Sequence, residues 1–116
     1  MTPEIAEKKK YLLHWMYDFI LDDEEPAYRK KDVDECDQLL TDFIHCVDTD
    51  ENKKDFTWVA SQVEALVKNL NELNEKLEYQ LIETDQREDL CALVALVMQH
   101  AGHDYEGDIT EIWRKW

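Results

Sequence analysis

The side chains that could do chemistry in this chain are few, and their spacing is poor for it. His100, His103, Asp104 and Glu106 are the densest set of candidate metal ligands. A His-x-x-His spacing at a helix end can turn two imidazoles towards one ion. Zinc needs three or four ligands, and the sequence has no second cluster of matching spacing to complete the shell. Histidines in that place are also accounted for by the negative end of a helix dipole. Asp48, Asp50 and Asn52 match the first ligand positions of an EF-hand loop. Lys53 then stands where that loop needs Gly, and Val59 where it needs Glu. Ser61 is the sole serine and falls mid-helix, without the Gly-rich turn that raises a nucleophile. Cys36, Cys46 and Cys91 lie in apolar-periodic stretches, where thiols are small, inert core residues. His45 adjoins Cys46, but neighbouring helix positions point about 100° apart, which separates base from thiol. The Glu-x-x-His pairs of di-iron bundles are absent. No catalytic residue, metal or cofactor is expected.

What remains is a surface, and its charge is lopsided. The 116 residues hold 28 Asp and Glu against 13 Lys and Arg, a formal charge of −15. That excess repels nucleic acid and anionic membranes and attracts basic surfaces. The basic residues come as short clusters, Lys8–Lys10 and Arg29–Lys31, with no Gly-rich phosphate loop. Apolar residues make up 44%, enough for one core in a single domain over residues 1–116 that needs no disulfide or metal to fold. Three cysteines, an odd number, fit a reducing cytoplasm. The apolar stretch after Lys10 is interrupted by His14 and Asp18, so it reads neither as a signal peptide nor as a membrane span.

The elements that must carry this surface are helices. Two glycines and two prolines are too few for the turns of a sheet protein. Thr2, Pro3 and Glu4 form a helix start, and the spacing of Ile5, Leu12, Leu13, Trp15, Met16, Phe19 and Ile20 predicts a first helix over 3–22. Tyr11, Trp15 and Phe19 fall on one line at i, i+4, i+8 and are expected to pack in the core. The second helix is predicted over 32–47 from Val33, Cys36, Leu39, Leu40, Phe43, Ile44 and Val47, with Asp32 and Glu35 as its capping box. Val59, Val63, Leu66, Leu70, Leu73 and Leu77 alternate spacings of four and three. They predict a third helix over 54–83, about 45 Å long and spanning the domain. Thr84 or Asp85, with Glu88, caps a fourth helix, nearly all-round apolar through Leu90, Cys91, Leu93, Val94, Val97 and Met98, and Gly102 ends it. Cys36 and Cys91 are expected to be buried. Asp108 and Glu111 open a short last helix whose Trp113 and Trp116 dock on the core. The predicted fold is all-α: a compact bundle of four main helices plus a short C-terminal helix.

One segment breaks the local rules. Asp22, Asp23, Glu24 and Glu25 place four carboxylates at the C-terminal, negative end of the first helix, directly before Pro26. Such violations mark functional places. Together with Asp32, Asp34, Glu35 and Asp37 at the start of the second helix they form the expected partner-binding surface. Tyr28, in the intervening loop, is its expected exposed aromatic anchor.

Size, acidity, helicity and lack of chemistry together resemble the small helical immunity proteins of bacterial toxin systems. Glu83-Thr84-Asp85-Gln86-Arg87-Glu88 before an apolar helix is similar to such chains. So is the run Gly107-Asp108-Ile109-Thr110-Glu111-Ile112-Trp113-Arg114-Lys115-Trp116. The resemblance implies a non-catalytic cytoplasmic protein that plugs a toxin domain, often a basic nuclease, by stoichiometric binding, with no nucleic-acid or membrane contact of its own. It assigns no residues. A small cytoplasmic adaptor or regulatory helical protein without inhibitory role stays open as the other reading.

Overall fold

The structure is a computed structural model that describes residues 2–22, the Asp22 side chain excepted, and 24–116. It is an all-α bundle. Helix α1 runs Pro3–Asp22, α2 Lys30–Thr49, α3 Phe56–Lys76 and α4 Thr84–His100. Two short 3-10 turns, Glu51–Lys54 and Ile109–Ile112, complete the order, so the short C-terminal helix is a 3-10 turn. Helix α2 packs on α1 and α3, and α4 closes the bundle mainly against α1.

Each helix buries one stripe. Ile5, Leu12, Leu13 and Met16 of α1 meet Val33, Cys36, Leu40, Ile44 and Val47 of α2 in a single core. Val59, Val63, Leu66, Val67, Leu70 and Leu73 of α3 and Leu90, Leu93, Val94, Val97 and Met98 of α4 belong to the same core. Helix α4 is less buried than its composition implies: Ala95 is exposed and Leu96 half-buried, since small and apolar residues also fill its outer face.

The helix ends differ from expectation in instructive ways. Helix α2 begins a residue pair early. Asp32 is its third residue, and its Oδ2 accepts the backbone N–H of Arg29 at 2.9 Å, so Arg29 and not Asp32 is the cap. At α4, Gln86 Oε1 likewise accepts from the N–H of Glu83 at 3.2 Å, which moves the cap from Thr84 or Asp85 to Glu83. At the far end of α4, the N–H of His103 reaches the carbonyl of Met98 at 2.9 Å around Gly102, whose φ of +96° a side chain would strain.

Helix α3 stops at Lys76, seven residues before the predicted end. Its 21 residues span about 32 Å, short of the 46 Å long axis of the molecule. The cause is Asn74. Its buried Oδ1 accepts the N–H groups of both Leu81 and Ile82, at 3.1 and 3.0 Å, and folds the chain back so that these two side chains enter the core. Tyr79 N–H donates to the Asn74 carbonyl at 2.7 Å in the helix-ending motif that normally uses glycine. Here Glu78 and Tyr79 adopt the left-handed conformation instead, with φ of 58° and 62°.

The C-terminal segment docks as expected. Trp113 and Trp116 pack half-buried against the core. Buried Asn71 of α3 clamps the segment from both sides: its Nδ2 donates to the Trp113 carbonyl at 2.9 Å, and its Oδ1 accepts from Lys115 N–H at 3.0 Å.

Candidate interaction surface

The acidic turn and the start of α2 are more internally satisfied than their sequence implies. Tyr28 is 3% exposed, so it is a core residue and not an exposed anchor. The loop folds its ring inward beneath Phe19, because an apolar ring gains more from burial there than its hydroxyl loses. Asp32 is also buried, held by its capping bond, which removes it from any contact surface. Glu24 and Glu25 are exposed; Asp23 and the Asp22 side chain lie outside the described residues.

The remaining carboxylates of the expected site have partners within the fold. Asp34 accepts from the Tyr17 hydroxyl and from Lys30 Nζ, the latter at 3.0 Å, and these bonds hold its carboxyl below the usual range. Glu35 pairs with Lys76 at 3.2 Å. Asp37 pairs with Lys9 at 2.8 Å, and the same Nζ donates to Thr41. Solvent screens these exposed or half-exposed pairs, so they tie the carboxylates to the fold without adding much stability.

A different surface stands open. Tyr11, Trp15 and Phe19 of α1 are 57%, 49% and 43% exposed, against the core packing expected of them. The physical reason is one residue of helix rotation. Leu12, Met16 and Ile20 follow the three aromatics one by one, and this adjacent row turns inward. Two apolar rows lie side by side on α1, and the bundle covers only one. Tyr11 and Trp15 meet edge to face with centroids 6.2 Å apart. The His14 and Trp15 rings also meet edge to face, with centroids 5.5 Å apart.

These rings line a groove of about 610 Å³ between α1 and the first half of α4. Its other lining residues are Asp18, Asp85, Gln86, Glu88 and Asp89. None of the four carboxylates forms an ion pair among the described residues. The three on α4 are like charges at helix spacings that repel. Burial, opposed by Lys8 and reinforced by Asp85 and Glu88, pushes the Asp89 carboxyl up from its ordinary value. An aromatic floor with unpaired carboxylates along one wall is suited to holding cationic and amphipathic groups.

The other candidate chemistry is tied into the fold. His103 Nε2 lies 2.8 Å from the Lys53 carbonyl, and its ring meets Phe56, which in turn stacks on Tyr105. Among the described residues no three His, Cys, Asp or Glu side chains converge as metal ligands. Cys36 is fully buried, and burial pushes its thiol up to about 12. Cys91 is only half-buried, a departure from expectation. Its Sγ lies 3.4 Å from Asp108 Oδ2 and 3.3 Å from Thr110 Oγ1, and burial above all raises its pKa. Its helix position faces the C-terminal segment, whose polar turn supplies these partners. No helix among the described residues is long and apolar enough to cross a membrane.

The sequence could have flagged the groove. Aromatics at i, i+4, i+8 directly beside a second complete apolar row exceed what one buried face of a peripheral helix uses. No family model, no curated protein and no solved structure matches this chain significantly.

Proposed function

We propose that this chain is a non-catalytic acidic binding protein, an immunity protein that neutralises a cognate bacterial toxin in the cytoplasm by stoichiometric binding. The partner is a protein domain with a basic surface, such as a nuclease domain. The observation that carries this reading is the exposed row Tyr11, Trp15 and Phe19 set beside unpaired carboxylates. Large exposed rings in a contiguous patch mark protein contact surfaces, and aromatic anchors supply most of the energy of such contacts. The charge of −15 adds long-range attraction for a basic domain, which speeds encounter. The likeness to helical immunity proteins points the same way.

The test is co-expression with the product of the neighbouring gene, growth as readout, and mass determination of the purified complex. Rescue of growth with a stable equimolar complex supports the reading. A basic partner that binds but is harmless when expressed alone replaces it with an adaptor. Rescue at substoichiometric amounts would mean turnover, and the reading would fail.

A further inference from the structure

We infer that the groove between α1 and α4 is the docking site for an arginine-bearing amphipathic helix of the partner, its guanidinium groups resting on Trp15 and Tyr11 and paired with the α4 carboxylates. This deepens the reading above and rests on it. The aromatic row from Tyr11 to Phe19 rises eight residue steps along α1, about 12 Å, or roughly two helical turns. A helix laid in a groove presents anchors over that same interval. The wall chemistry then selects the anchors. Asp85, in the first turn of α4, is explained by the helix dipole, but Glu88 and Asp89 lie beyond the reach of that effect. Asp85 and Asp89 stand four residues apart with like charge, an arrangement that costs a helix stability. A cation seated against them relieves the repulsion, and nothing among the described residues supplies one at ion-pair distance.

Arginine suits the site better than lysine. Its planar guanidinium stacks on an aromatic face while its edge pairs with carboxylates, and it is less strongly hydrated than an ammonium. Tryptophan is the best of the aromatic partners for a cation. Apolar residues of the same helix would cover Phe19. A nucleic acid or an anionic membrane is the wrong partner for such walls.

The experiment uses the whole protein, labelled with 15N, and a synthetic amphipathic peptide of about 18 residues with arginines along one face. Lysine and glutamate versions of the peptide serve as comparisons. The Trp15 indole signal is assigned through Trp15→Phe. The arginine peptide should shift that signal and the amides of 85–89, and should bind more tightly than the lysine peptide by about threefold. The glutamate peptide should leave the spectrum unchanged. Trp15→Ala, at unchanged charge, should weaken binding by roughly tenfold or more, as should Asp85→Asn, Glu88→Gln and Asp89→Asn combined. An equal charge change at exposed sites elsewhere, Glu51→Gln, Glu72→Gln and Glu75→Gln, should cost less than about twofold. The inference is overturned if both triple variants lose affinity equally, if the Trp15 signal stays fixed while the peptide binds, or if none of the peptides binds. The two readings fail separately. An equimolar toxin complex whose footprint avoids Trp15 sinks the groove and spares the function. A groove that takes the arginine peptide in a protein that rescues no toxin does the reverse.

Discussion

Phe19 of α1 lies flat on Tyr28 of the following loop, ring centroids 5.1 Å apart and planes within 17°. One face of Phe19 therefore seals the core while its outer side borders the groove. The contact ties the loop that follows α1 to the end of the aromatic row.

Tyr28 and Tyr17 should ionise well above the ordinary tyrosine range. Burial first, and then the Glu83 charge, pushes Tyr28 up to about 12. Burial and the bond to Asp34 do the same for Tyr17. A tyrosine of raised pKa stabilises the fold fully below its unfolded value of about 10, and that contribution fades as pH rises towards 12. In ultraviolet difference titration, Tyr17→Phe and Tyr28→Phe should each remove absorbance change from the late part of the curve, where the near-ultraviolet circular dichroism is also lost. Absorbance change lost near pH 10 instead, in folded variants, would contradict this.

Asn74→Ala should destabilise the protein by about 2 kcal/mol or more, because it strands the buried N–H groups of Leu81 and Ile82. Asn74→Asp keeps the acceptor but brings an unpaired charge into the core, and should be no better. Urea unfolding of both variants measures the loss. A cost below about 0.5 kcal/mol would show that Asn74 does not set the end of α3.

The C-terminal turn should loosen in acid. Burial raises the Asp108 carboxyl, but bonds from the Thr110 hydroxyl and amide, the Cys91 thiol and Arg114 outweigh it, and the net direction is down. A lowered carboxylate stabilises above its unfolded value near 4, and the contribution is lost as pH falls through the lower folded value. Asp108→Ala should remove it at every pH, at a cost of about 1–2 kcal/mol as a lost helix cap. The readout is tryptophan emission, since Trp113 and Trp116 pack half-buried on the core. It should shift red below about pH 4 in the native protein, and the variant should lack that acid step. An acid step retained in the variant would assign it to other carboxylates.

The charges after α1 should act on rate. Replacing Asp22, Asp23, Glu24 and Glu25 with amides should slow association with a basic partner and flatten its salt dependence, with a smaller effect on dissociation. Folding should be unchanged or slightly improved, because these groups oppose the dipole of α1. Association rates at low and high salt decide it. Unchanged rates would exclude the turn from steering.

Helix existence was legible because every helix carries a stripe at helical spacing; that of α2, with Val33, Cys36, Leu40 and Ile44, is buried as it reads. Boundaries were less legible where one polar side chain decides them. Asn74 reads as a surface residue of a continuing helix, yet its two bonds to later residues end that helix. The site was least legible. The density of carboxylates drew attention to the α1–α2 junction, but Asp34, Glu35 and Asp37 find cations within the fold. Tyr28 and Trp15 exchanged their expected places, one inside and one outside. Periodicity counts apolar positions on a helix; it does not say which of two neighbouring rows the rest of the bundle will cover.

The groove is built from helices at opposite ends of the order, with all of α2 and α3 between them in the chain. Neither wall exists as a site until the bundle has closed and brought α1 against α4. Whatever occupies the groove therefore recognises only the native state and must stabilise it, by about 2.7 kcal/mol when the ligand stands at a hundred times its dissociation constant. Recognition and folding would in that sense be one equilibrium: a ligand held across α1 and α4 would act as a clasp on the whole chain, and losing it would leave the chain more readily opened to proteolysis.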